Sequence, residues 1–181
     1  MKKLHFGCGH IKLDGYINVD IRKLPHVDVV TDVSKSLPFE NDSIDEILAN
    51  SVLEHLPHNS TKGNPATPFF NTVEVLKEWR RVLKPEGLLS IRVPNLEGIC
   101  RQYYNNNMTV RDFITYLYGG QEYPANSHLA GFDKKIATAV FAKAGFNDIK
   151  FRNSHKDEDG LSEKTAWEMR ILARKNAVST E

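Results

Sequence analysis

The sequence predicts an α/β fold: a doubly wound, mostly parallel seven-stranded sheet closed by an antiparallel C-terminal hairpin. Three observations carry that prediction. Short β-rich apolar runs recur at residues 4–6, 16–21, 27–33, 44–49 and 88–93. Helical periodicity fills the interval between the fourth and fifth runs, and two further β-rich runs, 148–152 and 167–173, end the chain on either side of a polar excursion. Strands that alternate with helices form parallel sheets, whereas two strands joined without a helix pair antiparallel.

Each element has its own signal. The first strand, Leu4-His5-Phe6, stops at Gly7-Cys8-Gly9, where two glycines let a backbone turn approach a ligand with no Cβ in the way. The second strand ends in Asp20, only eleven positions after Gly9. That interval is too short for a full helix plus a strand, so residues 11–15 are expected to form a turn or a single helical turn. The third run, 27–33, is almost continuously apolar, the pattern of a strand covered on both faces. Over residues 68–84, Phe69, Val73, Leu76, Trp79 and Leu83 repeat at helical spacing, and Lys77, Arg80, Arg81 and Lys84 crowd the C-terminal end. Pro85 and Gly87 end that helix. A later helix starts with Asp133 as N-cap, buries Ile136, Ala137, Val140, Phe141 and Ala144, and stops at Gly145. Residues 59–68 and 95–131 carry no clear period. As excursions beside strand ends they are expected to shape a pocket.

A chain of 181 residues fits a single domain, here taken as 1–181. Lys and Arg number 24 against 23 Asp and Glu, a net charge of +1, which gives no electrostatic reason to expect nucleic acid or an anionic membrane as partner. Two cysteines, Cys8 and Cys100, argue against a disulfide framework or a zinc site and suit a reducing compartment. No apolar run approaches the ~20 residues that span a bilayer, so the expected location is cytoplasmic. The charged segment 156–160 reads as a solvated loop, not an acidic metal site.

Ligands of doubly wound sheets sit beyond the carboxyl ends of the strands. Four marked positions share that address: Gly7 and Gly9, Asp20, Asp32, and Asn50-Ser51. A carboxylate only accepts hydrogen bonds, so Asp20 suits two ribose hydroxyls and Asp32 an exocyclic adenine amine. The array reads a nucleoside from sugar to base. A dinucleotide fits poorly, because Lys12 stands where the third glycine would be and the acid comes eleven positions after Gly9 where about twenty are wanted.

Gly7-Cys8-Gly9, Asp20, Asp32-Val33, Leu37-Pro38-Phe39 followed by Ser43-Ile44-Asp45, and Val52-Leu53-Glu54-His55 together resemble the class I S-adenosylmethionine-dependent methyltransferases of the broad type 11 group. Leu83-Lys84-Pro85-Glu86-Gly87-Leu88-Leu89 and Lys143-Ala144-Gly145-Phe146 extend the resemblance to about residues 3–153. It implies a Rossmann-like sheet, S-adenosylmethionine as cofactor and S-adenosylhomocysteine as product. It also implies that the turn Gly7, Cys8 and Gly9 approaches the methionine part and that Asp20 holds the ribose. Ile21 would pack on the adenine, Asp32 and Val33 would meet its edge, and Asn50 with Ser51 would line the floor beneath the sulfonium. The chain departs from the pattern where His5 replaces an acidic or polar residue, in the shortened first connection, and in beginning at the first strand. The cofactor site is therefore expected to be open, or closed by the later insertions or by a partner subunit in a homodimer.

Methyl transfer from a sulfonium needs alignment more than acid–base help. Where a base is used, His55 is the first candidate and His128 the second, imidazoles of ordinary pKa ~6.5 being suited to the task. Tyr118, Gln121 and Tyr123 flank Gly119-Gly120 and could bind the acceptor, expected to be a small molecule or saccharide-like. His58 follows His55 by three residues, but Pro57 interrupts the helix that would unite them, and no metal is expected. The rival reading is a methyltransferase-like binding or scaffold protein with weak or no catalysis.

Overall fold

The computed structural model describes residues 1–58, 70–153 and 167–177. The predicted insertion at 59–68 and the charged segment 156–160 lie outside them. Seven strands, β1 (Lys3–Phe6), β2 (Ile17–Asp20), β3 (Val29–Val30), β4 (Ile44–Asn50), β5 (Leu83–Pro94), β6 (Phe146–Asn153) and β7 (Glu168–Lys175), form one sheet in the order β3-β2-β1-β4-β5-β7-β6. β1 to β5 run parallel, and β7 is antiparallel to both of its neighbours. This is the expected α/β architecture with its closing hairpin.

Helix α1 (Phe70–Val82) lies on one face of the sheet through Val73, Leu76, Trp79 and Val82, all buried. Trp79 sets its position twice. Its ring meets Phe6 edge-on at 5.1 Å, and its indole N–H donates to the Val33 carbonyl at 2.8 Å. Helix α4 (Lys134–Lys143) is capped by Asp133, whose carboxylate accepts the Ile136 N–H at 2.7 Å, and it buries Ala137, Val140 and Phe141. Arg80 ties the two helices by donating to the Gly145 carbonyl at 2.9 Å. The stop predicted at Pro85 and Gly87 becomes an irregularity within β5, where pairing with β4 shifts register and a Cβ on Gly87 would fall 2.8 Å from the Lys84 carbonyl.

No helix separates β1 from β2, β2 from β3 or β3 from β4. The sheet face opposite α1 is polar here, and its side chains satisfy one another. Lys3 pairs with Glu46 at 2.7 Å, Tyr16 donates to Glu46 at 2.8 Å, and His5 Nδ1 lies 3.2 Å from Asn18 Oδ1. The buried Asn18 amide holds the helix-free first connection: its Oδ1 accepts the Leu13 N–H at 3.0 Å, and its Nδ2 donates to the Leu13 and Tyr16 carbonyls, both at 3.2 Å. His5, where the resemblance wanted an acid, thus belongs to the brace of the first connection.

The third strand departs from expectation. It is two residues long and lies at the open edge, with Val30 50% exposed, and is not covered on both faces. An apolar run predicts burial only if a further layer exists to bury it, and without a helix in either flanking connection the run beyond Val30 turns inward. Val33 then enters the core beneath Trp79. Two helices fall in the unassigned stretch after β5: α2 (Leu96–Tyr104) and α3 (Val110–Tyr118). They pack on each other, with the Tyr103 and Phe113 rings stacked at 4.3 Å, and α3 has no buried residue. Among the described residues no helix is long and apolar enough to cross a membrane.

Candidate functional site

The carboxyl ends of β1, β2 and β4 form the first half of the site. Gly7 and Gly9 both have positive φ, +58° and +56°, and a Cβ on Gly7 would lie 2.4 Å from Val52 Cγ2, so only glycine fits that turn. Cys8 between them is buried, and its thiol is pushed up to about 11 by burial and by the Asp20 charge, which keeps it protonated and unreactive. Asp20 accepts three hydrogen bonds: the Gly9 N–H at 2.8 Å, the Arg22 N–H at 2.9 Å and Arg22 Nε at 3.2 Å. Burial alone would raise its pKa, but these donors outweigh it and hold the carboxyl below its usual range. A carboxylate offers about four lone-pair sites. One ribose hydroxyl can therefore dock directly, and a second must displace Arg22.

Ile21 is 57% exposed beside Asp20, an apolar surface fit for a base. Asp32 follows β3 at the same edge, but its Oδ1 accepts both the N–H and the hydroxyl of Ser34, at 2.9 and 2.6 Å, and so closes its own turn. Val33 faces the core. Asn50 ends β4 with 8% exposure, and Ser51 takes φ +53° while donating its N–H to the Arg92 carbonyl at 2.9 Å. A left-handed non-glycine residue at a strand end is held there by its surroundings, a pattern typical of binding sites.

The second half begins one turn later. Leu53–His55 form a 3-10 turn, and the Glu54 carbonyl accepts the N–H groups of Leu129 and Ala130 at 2.8 and 3.0 Å. Those two bonds lay the 127–131 segment over the turn and bring His128 to His55, their rings 4.8 Å apart and inclined at 72°. His55 Nδ1 lies 3.1 Å from the Ser127 carbonyl, and His128 Nδ1 2.9 Å from the Tyr116 carbonyl. A carbonyl only accepts, so each Nδ1 carries the proton and each Nε2 keeps its lone pair. Burial holds both imidazoles below their ordinary pKa against the opposing pull of those carbonyls. Glu54 is 1% exposed, and among the described residues neither carboxyl oxygen takes a hydrogen bond from another residue; burial, reinforced by Glu168, pushes it up to about 8 against the pull of its own backbone N–H and of Arg92.

A cavity of about 240 Å³ opens beside His128 and is also lined by His58, Tyr116, Tyr118, Leu129 and Gly131. Both His58 ring nitrogens are engaged, with Thr72 Oγ1 at 2.9 Å and the Gly131 carbonyl at 2.8 Å, so His58 positions the cavity wall. Of the three residues expected to meet the acceptor, Tyr118 lines the cavity. Tyr123 lies elsewhere, under the Arg22 guanidinium at 5.2 Å, and Gln121 bonds back to the Tyr118 carbonyl at 3.3 Å. The loop between them turns at Gly119, φ +79°, where a Cβ would strike the Asn126 carbonyl at 2.2 Å. It runs from the cavity to the Asp20 side of the site.

Two residues central to this geometry escaped the sequence reading as site members. Arg22 had the signal of a cation two positions after Asp20. Glu54 was visible only as part of a motif, since its burial depends on residues more than seventy positions away.

Fold and strand order define a Rossmann-like α/β protein. Residues 15–91 match the family described as a methyltransferase domain. Among solved structures, a methyltransferase from Methanosarcina mazei is 18% identical over 98% of this chain and 93% of its own, with a TM-score of 0.58. One from Archaeoglobus fulgidus is 16% identical over 96% and 86%, at 0.57. The CurJ carbon methyltransferase is 16% identical over 98% of this chain, at 0.59, and this chain spans 49% of its length. No curated protein matched the sequence. The chain shares the Rossmann-like fold of these methyltransferases, and the segment that matches the methyltransferase-domain family, residues 15–91, is somewhat less than half of it.

Proposed function

We propose that this protein transfers a methyl group from S-adenosylmethionine to a small-molecule or saccharide-like acceptor by in-line displacement. The observation that carries the reading is the shared sheet edge. The glycine turn and Asp20 stand at the ends of β1 and β2, and the turn after β4 leads into the wall of a cavity of about 240 Å³. In this reading Gly7, Cys8 and Gly9 take the methionine part through their backbone, and Asp20 holds the ribose. Ile21 packs on the adenine, the backbone of Asp32 and Val33 meets its edge, and Asn50 and Ser51 lie beneath the sulfonium. The acceptor enters the cavity against Tyr118, with Gln121 and Tyr123 on the loop above it.

The leaving group is already activated, so alignment supplies most of the catalysis, on the order of 7 to 11 kcal/mol. His55 or His128 takes the acceptor's proton at Nε2, the nitrogen that its carbonyl-bound Nδ1 leaves open. The cavity's size and aromatic wall support an acceptor of modest dimensions, and the net charge of +1 gives nothing for a polyanion to bind.

Calorimetry with S-adenosylmethionine, S-adenosylhomocysteine and NAD tests the cofactor. Heat with the first two and none with NAD is expected. No heat with either adenosyl ligand would leave the scaffold reading in its place. A panel of sugars, phenols and amines, scored by release of S-adenosylhomocysteine, then tests the acceptor class.

A further inference from the structure

We propose that Glu54, His55 and His128 form a binding site for one divalent transition-metal ion, with Zn2+ the best fit. Each offers one ligand atom, and the three atoms lie within 4.8 Å of one another. The cluster is more than a coincidence of residue types. The Glu54 carboxyl is 1% exposed and contributes to the group, yet among the described residues neither oxygen takes a hydrogen bond from another residue, and the nearby Arg92 faces Glu168 at 3.9 Å. A buried carboxyl in that condition costs free energy unless a proton or a cation stands against it. Both imidazoles are meanwhile fixed as metal ligands usually are, with one nitrogen donating to a backbone carbonyl, Ser127 for His55 and Tyr116 for His128, and the other left with its lone pair.

The donor set selects the ion. Two imidazoles and one carboxylate suit Zn2+ and its first-row neighbours, whereas Mg2+ and Ca2+ prefer oxygen throughout. Tetrahedral coordination with bonds of 2.0–2.1 Å places donor atoms about 3.4 Å apart. Small rotations of three side chains therefore close the present arrangement. Three protein ligands leave a fourth position for water or an acceptor oxygen, and His128 also lines the adjoining cavity. A metal there would take the Nε2 lone pairs that the methyl-transfer reading offers to a proton, and would itself favour the deprotonated acceptor. The site stands apart from that reading, because the metal is measured without cofactor or acceptor.

The test titrates the full chain, stripped by chelator, with ZnCl2 in a calorimeter and with CoCl2 followed by visible absorption. One Zn2+ per chain at micromolar affinity or tighter is expected, with the intense cobalt bands of a tetrahedral N/O site. Glu54→Gln and His128→Ala should each weaken binding by about a hundredfold. A rise in Tm on adding Zn2+ should accompany binding in the native chain and vanish in the variants, and circular dichroism of the metal-free variants shows that they fold. His10 and His26, whose rings lie 6.5 Å apart, form the competing imidazole pair. Absence of binding at about 100 μM Zn2+, or binding that survives Glu54→Gln and His128→Ala but is lost in His10→Ala, would overturn the proposal.

Discussion

The two halves of the site are built in opposite ways. On the proposed cofactor side the polar groups at the Asp20 corner largely hold one another: Asp20 holds Gly9 and Arg22, Asp32 holds Ser34, and His26 Nε2 lies 2.7 Å from the Gly9 carbonyl. On the proposed acceptor side, among the described residues, the Glu54 carboxyl takes no hydrogen bond from another residue, and two imidazoles each bring a ring nitrogen within 4.8 Å of it. A satisfied corner is preorganised and needs only to exchange one donor for a ligand hydroxyl. An unsatisfied pocket holds chemical potential that a proton, metal or substrate must meet. Binding is expected to fail when the first half is disturbed, and turnover when the second is.

The largest effect should come from the acceptor half. His55→Ala is expected to slow turnover by about 10²–10⁴-fold, the usual span for losing one acid–base group, while the Kd for S-adenosylmethionine stays within about twofold. Single-turnover kinetics beside calorimetry separates the two. A comparable loss of cofactor affinity would show that the halves are not independent.

Next in size is the glycine turn. Gly7→Ala forces a Cβ to 2.4 Å from Val52 and puts alanine at φ +58°. The conformation alone costs roughly 1–2 kcal/mol, and the clash adds to it. A fall in Tm of several degrees and loss of cofactor binding are expected; paired Gly7→Ala/Val52→Ala should recover part of the stability, because the methyl that is struck has gone. An unchanged Tm in the single variant would mean that the turn is looser than its geometry.

Asp20→Ala should weaken S-adenosylmethionine at least about tenfold, or 1.4 kcal/mol, the range for losing hydrogen bonds to a charged group. The same residue predicts a pH dependence. Its folded pKa lies below the ordinary 3.8 because the Arg22 and Gly9 donors outweigh its burial. Its contribution to stability is therefore complete above pH 3.8 and is lost as pH falls through the lowered value. Asp20→Asn should flatten that part of the acid-unfolding curve, and an unaltered slope would place the stabilising charge elsewhere.

The same contrast decides what could be read from the sequence. Gly7-Cys8-Gly9 and Asp20 lie within fourteen residues and are held by each other, so their spacing carried the geometry. The Asp133 cap was legible for the same reason, its partner being three positions away. β3 misled because an apolar run reports a strand but not whether a second layer covers it. α3 carries an apolar stripe of Val110, Phe113, Ile114 and Leu117 at helical spacing, but it packs on α2 and not on the core, with Val110, Ile114 and Tyr118 at least half exposed, and the sequence reading left it unassigned. Glu54 escaped for a topological reason. A glutamate reads as surface until the 127–131 segment is laid over it by Leu129 and Ala130.

The smallest effect tests whether the two halves meet. Arg22 spans them: it donates to Asp20 and lies over the ring of Tyr123, which sits on the loop that returns to the cavity at Tyr118. With the Arg22 side chain 35% exposed, the pair is worth little in stability, about 1 kcal/mol or less. Its weight lies in competition, since Nε occupies a lone pair that a ribose hydroxyl would use. Arg22→Ala is expected to tighten S-adenosylmethionine about two- to fivefold while lowering turnover modestly, because the loop loses its tether above the acceptor. Arg22→Lys should keep the charge without the planar stack and fall between the two. If Arg22→Ala binds the cofactor more weakly, Arg22 is part of the cofactor site, and the corner is completed by that arginine instead of guarded by it.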